Sequence, residues 1–171
     1  FILVTIHRRE NWGDPLKNIC EGLKLIIKNH PKVKLIIPMH PNKELRKIIL
    51  EKLSFSKSVL LMDSLPYDKL VFILKKCKLV LTDSGGIQEE APAFAKPVLV
   101  LRNTTERIEA LEFGTAKLVG TDSLKIFEAA NDLLSNTEKY NTMAKATNPY
   151  GDGNSSKLIV KECLKFIRKT S

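Results

Sequence analysis

The residues best equipped for chemistry fall in a few short polar stretches, each closing an apolar run. In "LTDSGGIQEEAP" (residues 81–92) the run ends on Thr82, Asp83 and Ser84. Gly85 and Gly86 follow, and a helix-like stretch from Ile87 carries Glu89 and Glu90. The two glycines are expected to permit positive φ and to let a ligand approach the backbone closely. A helix that opens beyond them offers unpartnered N–H groups and the positive end of its dipole, a combination that holds phosphate. A helix cap by Asp83 or Ser84 would account for the same residues without a ligand. The stretch is neither a GxGxxG fingerprint nor a P-loop. Glu89 and Glu90 project in different directions. The helix dipole explains one of them, Glu89 by expectation, and leaves Glu90 free to accept hydrogen bonds from both hydroxyls of a ribose.

Three more stretches repeat the placement. "TIHRREN" (5–11) sets His7 beside Arg8 and Arg9, an imidazole among fixed positive charges that suits a proton relay or an anionic leaving group. "PMHPN" (38–42) carries His40, and "RNTTER" (102–107) carries Arg102 and Arg107. Polar, mostly basic residues thus converge on four apolar-run ends, which favours an anionic small ligand. His30, just before Pro31, reads instead as a residue facing a helix C-terminus.

The elements that must position these residues alternate. Ile2–Ile6, Val33–Ile37, Val59–Met62, Leu79–Leu81, Val98–Leu101 and Lys117–Val119 read as buried strands. Between them Leu16, Ile19, Leu23 and Ile26 mark one face of a helix, as do Leu45, Ile48 and Ile49, and Leu70, Ile73 and Leu74. Such alternation predicts an α/β fold, a parallel sheet with helices on both faces and right-handed crossovers. Beyond Ser123 only helices are expected, at Ile126–Leu134, Thr137–Ala146 and Ser155–Arg168. "NPYGDG" (148–153) separates the last two.

Bulk properties narrow the class. A chain of 171 residues can form one domain with a substantial core. The net charge of +9 raises nucleic acid as a partner. Yet Lys outnumbers Arg by 22 to six and is spread at helical spacing, as on a solvated surface. Cys20, Cys77 and Cys163 have no metal-ligand spacing and are expected to be reduced core thiols, which points to the cytoplasm. No apolar run approaches a membrane span, and no secretory signal is visible. The sequence opens without Met, directly in a strand-like run, as a fragment of a longer polypeptide would.

Taken in order, "VTIHRREN", "PMHPN", "LTDSGGIQEEAP", "KPVLVLRNTTERIEA", "GTAKLVGT" and "NPYGDG" resemble the C-terminal half of non-hydrolysing UDP-N-acetylglucosamine 2-epimerases. The resemblance covers nearly the whole chain, from Leu3 to about Ile167. It implies a single Rossmann-like domain over residues 1–171, the C-terminal partner in a two-domain fold of the glycosyltransferase B type. It also implies roles: Ser84, Gly85 and Gly86 for the diphosphate, Glu90 for the ribose, Arg107 at the nucleotide, and His7 in catalysis. Arg8 and His40 match contacts to a second, regulatory UDP-sugar. No metal or redox cofactor is implied, because UDP itself is released and re-added within the cycle. The expected partners are a UDP-sugar, the missing N-terminal domain and a second subunit, with no nucleic acid or membrane. The family's proton-transferring carboxylates lie in that missing domain, so the chain alone is expected to be inactive and to leave apolar surface exposed.

Two other readings share the fold. One is the C-terminal domain of a B-type glycosyltransferase, which the pairing of "HRREN" with "SGGIQEE" disfavours. The other is a stand-alone, non-catalytic nucleotide-sugar-binding module.

Overall fold

A computed structural model describes the backbone of residues 1–170 and the side chains of residues 1–168. Its centre is a six-stranded, wholly parallel sheet in the order β3-β2-β1-β4-β5-β6. The strands are β1 (Ile2–Thr5), β2 (Leu35–Met39), β3 (Val59–Asp63), β4 (Leu79–Thr82), β5 (Val98–Val100) and β6 (Ala116–Leu118). All six expected strands are present. The second begins two residues later than the apolar run, because the Val33 N–H bonds back to the His30 carbonyl and closes a turn there.

The side-chain alternation of the central strands divides the core in two. Ile2, Val4, Leu79, Leu81, Leu99 and Leu101 face α1 (Asp14–Asn29), α2 (Lys43–Leu53) and α6 (Ser123–Ser135). Leu3, Val80, Val98 and Val100 face the other way. They pack on α3 (Tyr67–Lys76), α4 (Gly85–Glu90), the 3-10 turn Ala91–Phe94 and α5 (Ile108–Glu112). Both faces are covered, so these strands are uniformly apolar instead of alternating with polar residues.

The chain ends in α7 (Thr137–Ala144) and α8 (Ser155–Thr170). Along α8 the apolar residues Leu158, Ile159, Val160 and Leu164 are exposed, in keeping with the expected uncovered surface. Cys163 is exposed there too. It is therefore not a core thiol, since residues 155–168 of the helix whose apolar periodicity suggested burial are exposed. Cys20 and Cys77 are buried as expected, and burial pushes their thiols up to about 12 and about 11. Among the described residues no helix is long and apolar enough to cross a membrane.

The strand order reverses direction at β1. The chain first winds outward through β2 and β3, then returns to lay β4 on the other side of β1. The crevice at the carboxyl ends of β1 and β4 is where open parallel sheets bind ligands, and the His7 and Ser84 stretches leave the sheet there.

Candidate functional site

Asp83 ties these two stretches together. It follows β4 directly and is fully buried. Its Oδ2 accepts hydrogen bonds from the backbone N–H groups of His7 and Arg8, both at 2.9 Å, and from Asn11 Nδ2 at 2.9 Å. Asn11 Nδ2 also donates to the Leu101 carbonyl at 3.0 Å, so the loop after β1 is fastened to both β4 and β5. The His7 Nδ1 lies 3.3 Å from Asp83 Oδ1. One buried carboxylate therefore fixes the path of the His7–Arg8 backbone and sits against the imidazole. Asp83 is not a helix cap, and its role went unread because its partners lie far away in sequence.

Ser84 does not cap α4 either. Its backbone is extended and its side chain makes no capping bond, while its own N–H donates to Thr82 Oγ1 at 2.9 Å. By contrast Asn42, Asp122 and Asn136 close the starts of α2, α6 and α7 with side-chain hydrogen bonds. The first turn of α4 is thus left open.

Gly85 and Gly86 do not adopt the positive φ anticipated for them. Close approach explains them instead. A Cβ on Gly85 would stand 3.2 Å from Cζ and Nη2 of Arg107. One on Gly86 would meet only Glu90 Oε1 at 3.8 Å and Ser84 Oγ at 3.9 Å. The Arg107 guanidinium therefore lies on one side of the opening turn of α4, and open space lies on the other.

That space is a cavity of about 290 Å³. His7, His40, Ser84 and Glu90 form its polar wall, and Met39, Leu65, Leu70 and Ile87 its apolar one. The His7 and His40 rings stack with centroids 6.3 Å apart. Nδ1 of His40 accepts the Asn42 N–H at 3.2 Å, which places the proton of the neutral ring on Nε2. Glu90 buries its Oε2 with no hydrogen-bond partner among the described residues. A buried carboxylate oxygen without a donor calls for one from outside the protein. The carboxylate as a whole is not isolated: its charge, and then hydrogen bonding to it, hold the Tyr67 phenol above the ordinary range, while Oε2 is the oxygen left without a partner.

The two arginines after β5 separate. Arg102 is buried and is gripped by Glu10 and Glu106, with Nε to Glu10 Oε1 at 2.5 Å and Nη1 to Glu106 Oε2 at 2.8 Å. It is not available to an anion, contrary to the expected convergence. Those contacts raise Arg102 further and hold Glu106 down to about 2. Arg107 stays partly exposed and donates from Nε to Glu89 Oε1 at 2.6 Å. Glu89 sits in the last turn of the six-residue α4. The helix dipole favours a negative charge at the first turn only, so the role expected for Glu89 is not the one it has. Arg8 buries its Nε without a hydrogen-bond partner among the described residues, and its charge reaches Glu106.

The structure thus gathers His7, His40, Ser84, Gly86 and Glu90 around one cavity, with Gly85 and Arg107 on the adjoining side of α4. Sequence reasoning missed Asp83, Gln88 and Thr105 as organisers. A larger groove of about 590 Å³ lies by β6, near Lys117, Lys125 and Lys139. Lys139 is paired with Asp132 there, and none of the buried unpartnered polar atoms lines it. Among the described residues no group of three or more His, Cys, Asp or Glu could hold a metal ion.

The family profile described as UDP-N-acetylglucosamine 2-epimerase matches residues 1–164. A UDP-N-acetylglucosamine 2-epimerase from Neisseria meningitidis is 47% identical over 164 residues, 96% of this chain and 44% of that protein. Its counterpart from Escherichia coli is 45% identical over 167 residues, 98% of this chain and 44% of its own. The chain therefore spans less than half the length of these relatives. The crystal structure of the Neisseria meningitidis UDP-GlcNAc 2-epimerase bound to UDP-GlcNAc superposes with a TM-score of 0.91, covering 96% of this chain and 44% of that one. S. aureus MnaA, in a structure with UDP, is 42% identical with a TM-score of 0.93, covering 98% and 46%. The C-terminal domain of a group 1 glycosyl transferase from Francisella tularensis shares the fold at 16% identity and a TM-score of 0.66, covering 87% and 81%.

Proposed function

The chain belongs to the UDP-N-acetylglucosamine 2-epimerase family, and from that membership we propose that residues 1–171 form the UDP-binding C-terminal domain of such an enzyme. The diphosphate lies on the open first turn of α4, at Ser84, Gly85 and Gly86, with the Arg107 guanidinium beside it. The ribose hydroxyls donate to Glu90. The apolar wall of Met39, Leu65, Leu70 and Ile87 faces the base. The single observation that most supports this reading is the Glu90 carboxylate oxygen, buried without a donor in a cavity that also holds Ser84 and His7.

The proposed reaction interconverts UDP-GlcNAc and UDP-ManNAc. The C2 proton leaves and the C1–O bond to UDP breaks, giving a 2-acetamidoglucal. UDP adds back across the double bond, with a proton delivered to the opposite face of C2. Charge develops on the departing diphosphate, which α4 and Arg107 stabilise. His7, at the cavity wall, is the catalytic residue this chain contributes. Arg8 and His40 contact substrate or a second UDP-sugar. No metal or redox cofactor takes part. The carboxylates that move the C2 proton come from an N-terminal domain, and the complete enzyme is a cytoplasmic homodimer that serves surface polysaccharide synthesis.

Calorimetric titration of the chain with UDP tests the binding half of the proposal. Saturable binding, weak for want of a closing domain, is expected, together with no conversion of UDP-GlcNAc. Sustained epimerisation by this chain alone would remove the need for the other half.

A further inference from the structure

Glu89 is left without a role by the reading above, and its geometry supplies one. Arg107 Nε donates to Glu89 Oε1 at 2.6 Å. Cζ and Nη2 of the guanidinium come within 3.2 Å, and Nε within 3.5 Å, of the point where a Gly85 Cβ would stand. Arg107 is thus held by one edge and laid along the start of the helix that carries its holder. The neighbouring residue repeats the attachment. Gln88, fully buried, accepts the Thr105 hydroxyl proton at 2.7 Å and donates Nε2 to the Ser84 carbonyl at 3.2 Å. Thr105 Oγ1 in turn accepts the Arg107 N–H at 3.1 Å. The competing carboxylate, Glu106, stands 4.0 Å from Arg107 Nη1 and is taken up by Arg102. Among the described residues, therefore, only the Nε edge of Arg107 has a short partner.

We propose that Glu89 is a positioning residue, which fixes Arg107 by its Nε edge over the first turn of α4 and so presents the Nη edge to the phosphates of a nucleoside diphosphate. An unrestrained arginine would lose rotamer freedom on binding, and a guanidinium already held in place loses less. The inference rests on the reading of α4 as the diphosphate site.

The sign of one substitution decides it. Glu89 carries the same charge as the phosphates. If it were a bystander, Glu89→Gln would leave UDP affinity unchanged or raise it by removing repulsion. As a positioning residue its loss weakens UDP binding, by about tenfold, and leaves uridine affinity as it was. The experiment titrates this chain with uridine and with UDP, in wild type, Glu89→Gln, Arg107→Ala and the double variant. The expected result is a selective loss for UDP in Glu89→Gln, with the double variant no worse than Arg107→Ala. Unchanged or tighter UDP binding in Glu89→Gln overturns the proposal, and so do additive losses in the double variant. Parallel losses for uridine and UDP would mark a merely structural role and overturn it as well. If wild type fails to prefer UDP over uridine, the diphosphate site itself is wrong and the inference falls with it.

Discussion

Arg102 and Arg107 stand five residues apart in one loop, and nothing local distinguishes them. Arg102 is buried between two carboxylates that engage two edges of its guanidinium fork and take four of its five N–H donors. Arg107 has one short carboxylate contact and a third of its side chain exposed. The first arginine joins the loop after β1, through Glu10, to the loop after β5, through Glu106. The second lies against the uncapped start of α4. A cation clamped between two carboxylates is a fastening, and a cation with an edge to spare beside an open helix turn can hold an anion. The same contrast separates Asp122, whose carboxylate caps α6, from Asp83, which turns away from α4 and leaves that helix start open.

The largest expected effect breaks the fastening. Arg102→Ala should lower unfolding stability by roughly 2–3 kcal/mol, from lost packing and two lost charge-assisted pairs. Arg107→Ala should change it by about 0.5 kcal/mol or less, as for a partly exposed pair. Urea unfolding of both variants checks this. Equal losses would erase the distinction drawn between the two arginines.

A second substitution sharpens the binding side. Gly85→Ala places a methyl group 3.2 Å from the Arg107 guanidinium. Arg107 must shift, so UDP affinity should fall several-fold, by about 1 kcal/mol. Gly86→Ala meets nothing closer than 3.8 Å on the protein, and should leave Arg107 in place. Titration with UDP, beside the unfolding curves, compares them.

The smallest effect is in pH. Arg102 holds Glu106 down to about 2, below its ordinary value of 4.5. A depressed folded-state value means that this contribution is present above about pH 4.5 and is lost as pH falls toward 2. The stability gap between wild type and Glu106→Gln should therefore be constant at neutral pH and close across that acid window. A gap that widens on acidification would contradict the pairing.

How much of this was legible beforehand follows from the range of each interaction. The strands were readable because both faces of the sheet are covered, which makes them short, continuous apolar runs. The helices were readable from spacing. The cluster of His7, His40, Ser84 and Glu90 was readable because a parallel sheet puts every strand's carboxyl end on one edge. Partnership across that edge was not. Asp83 reads as a cap until His7, Arg8 and Asn11 are brought to it. Glu89 reads as a dipole residue until Arg107 folds back on it. Gly85 reads as a turn until the guanidinium occupies the place of its side chain. Cys163 misled by the same limit, since periodicity marks an apolar helix face without saying what covers it.

Glu90 as the acceptor for a ribose is the centre of the proposed site, and one comparison tests it most directly. Glu90→Gln keeps the shape and removes a charge and an acceptor. Hydrogen bonds to a charged group contribute roughly 1.5–3 kcal/mol, so UDP affinity should fall about 10- to 150-fold. The wild-type preference for UDP over 2′-deoxy-UDP should shrink with it, because the same carboxylate reads the missing hydroxyl. Measured by calorimetry on wild type and variant, a joint loss of affinity and of that preference is the predicted result. A variant that weakens UDP and 2′-deoxy-UDP equally would show only a change of charge and would contradict the assignment.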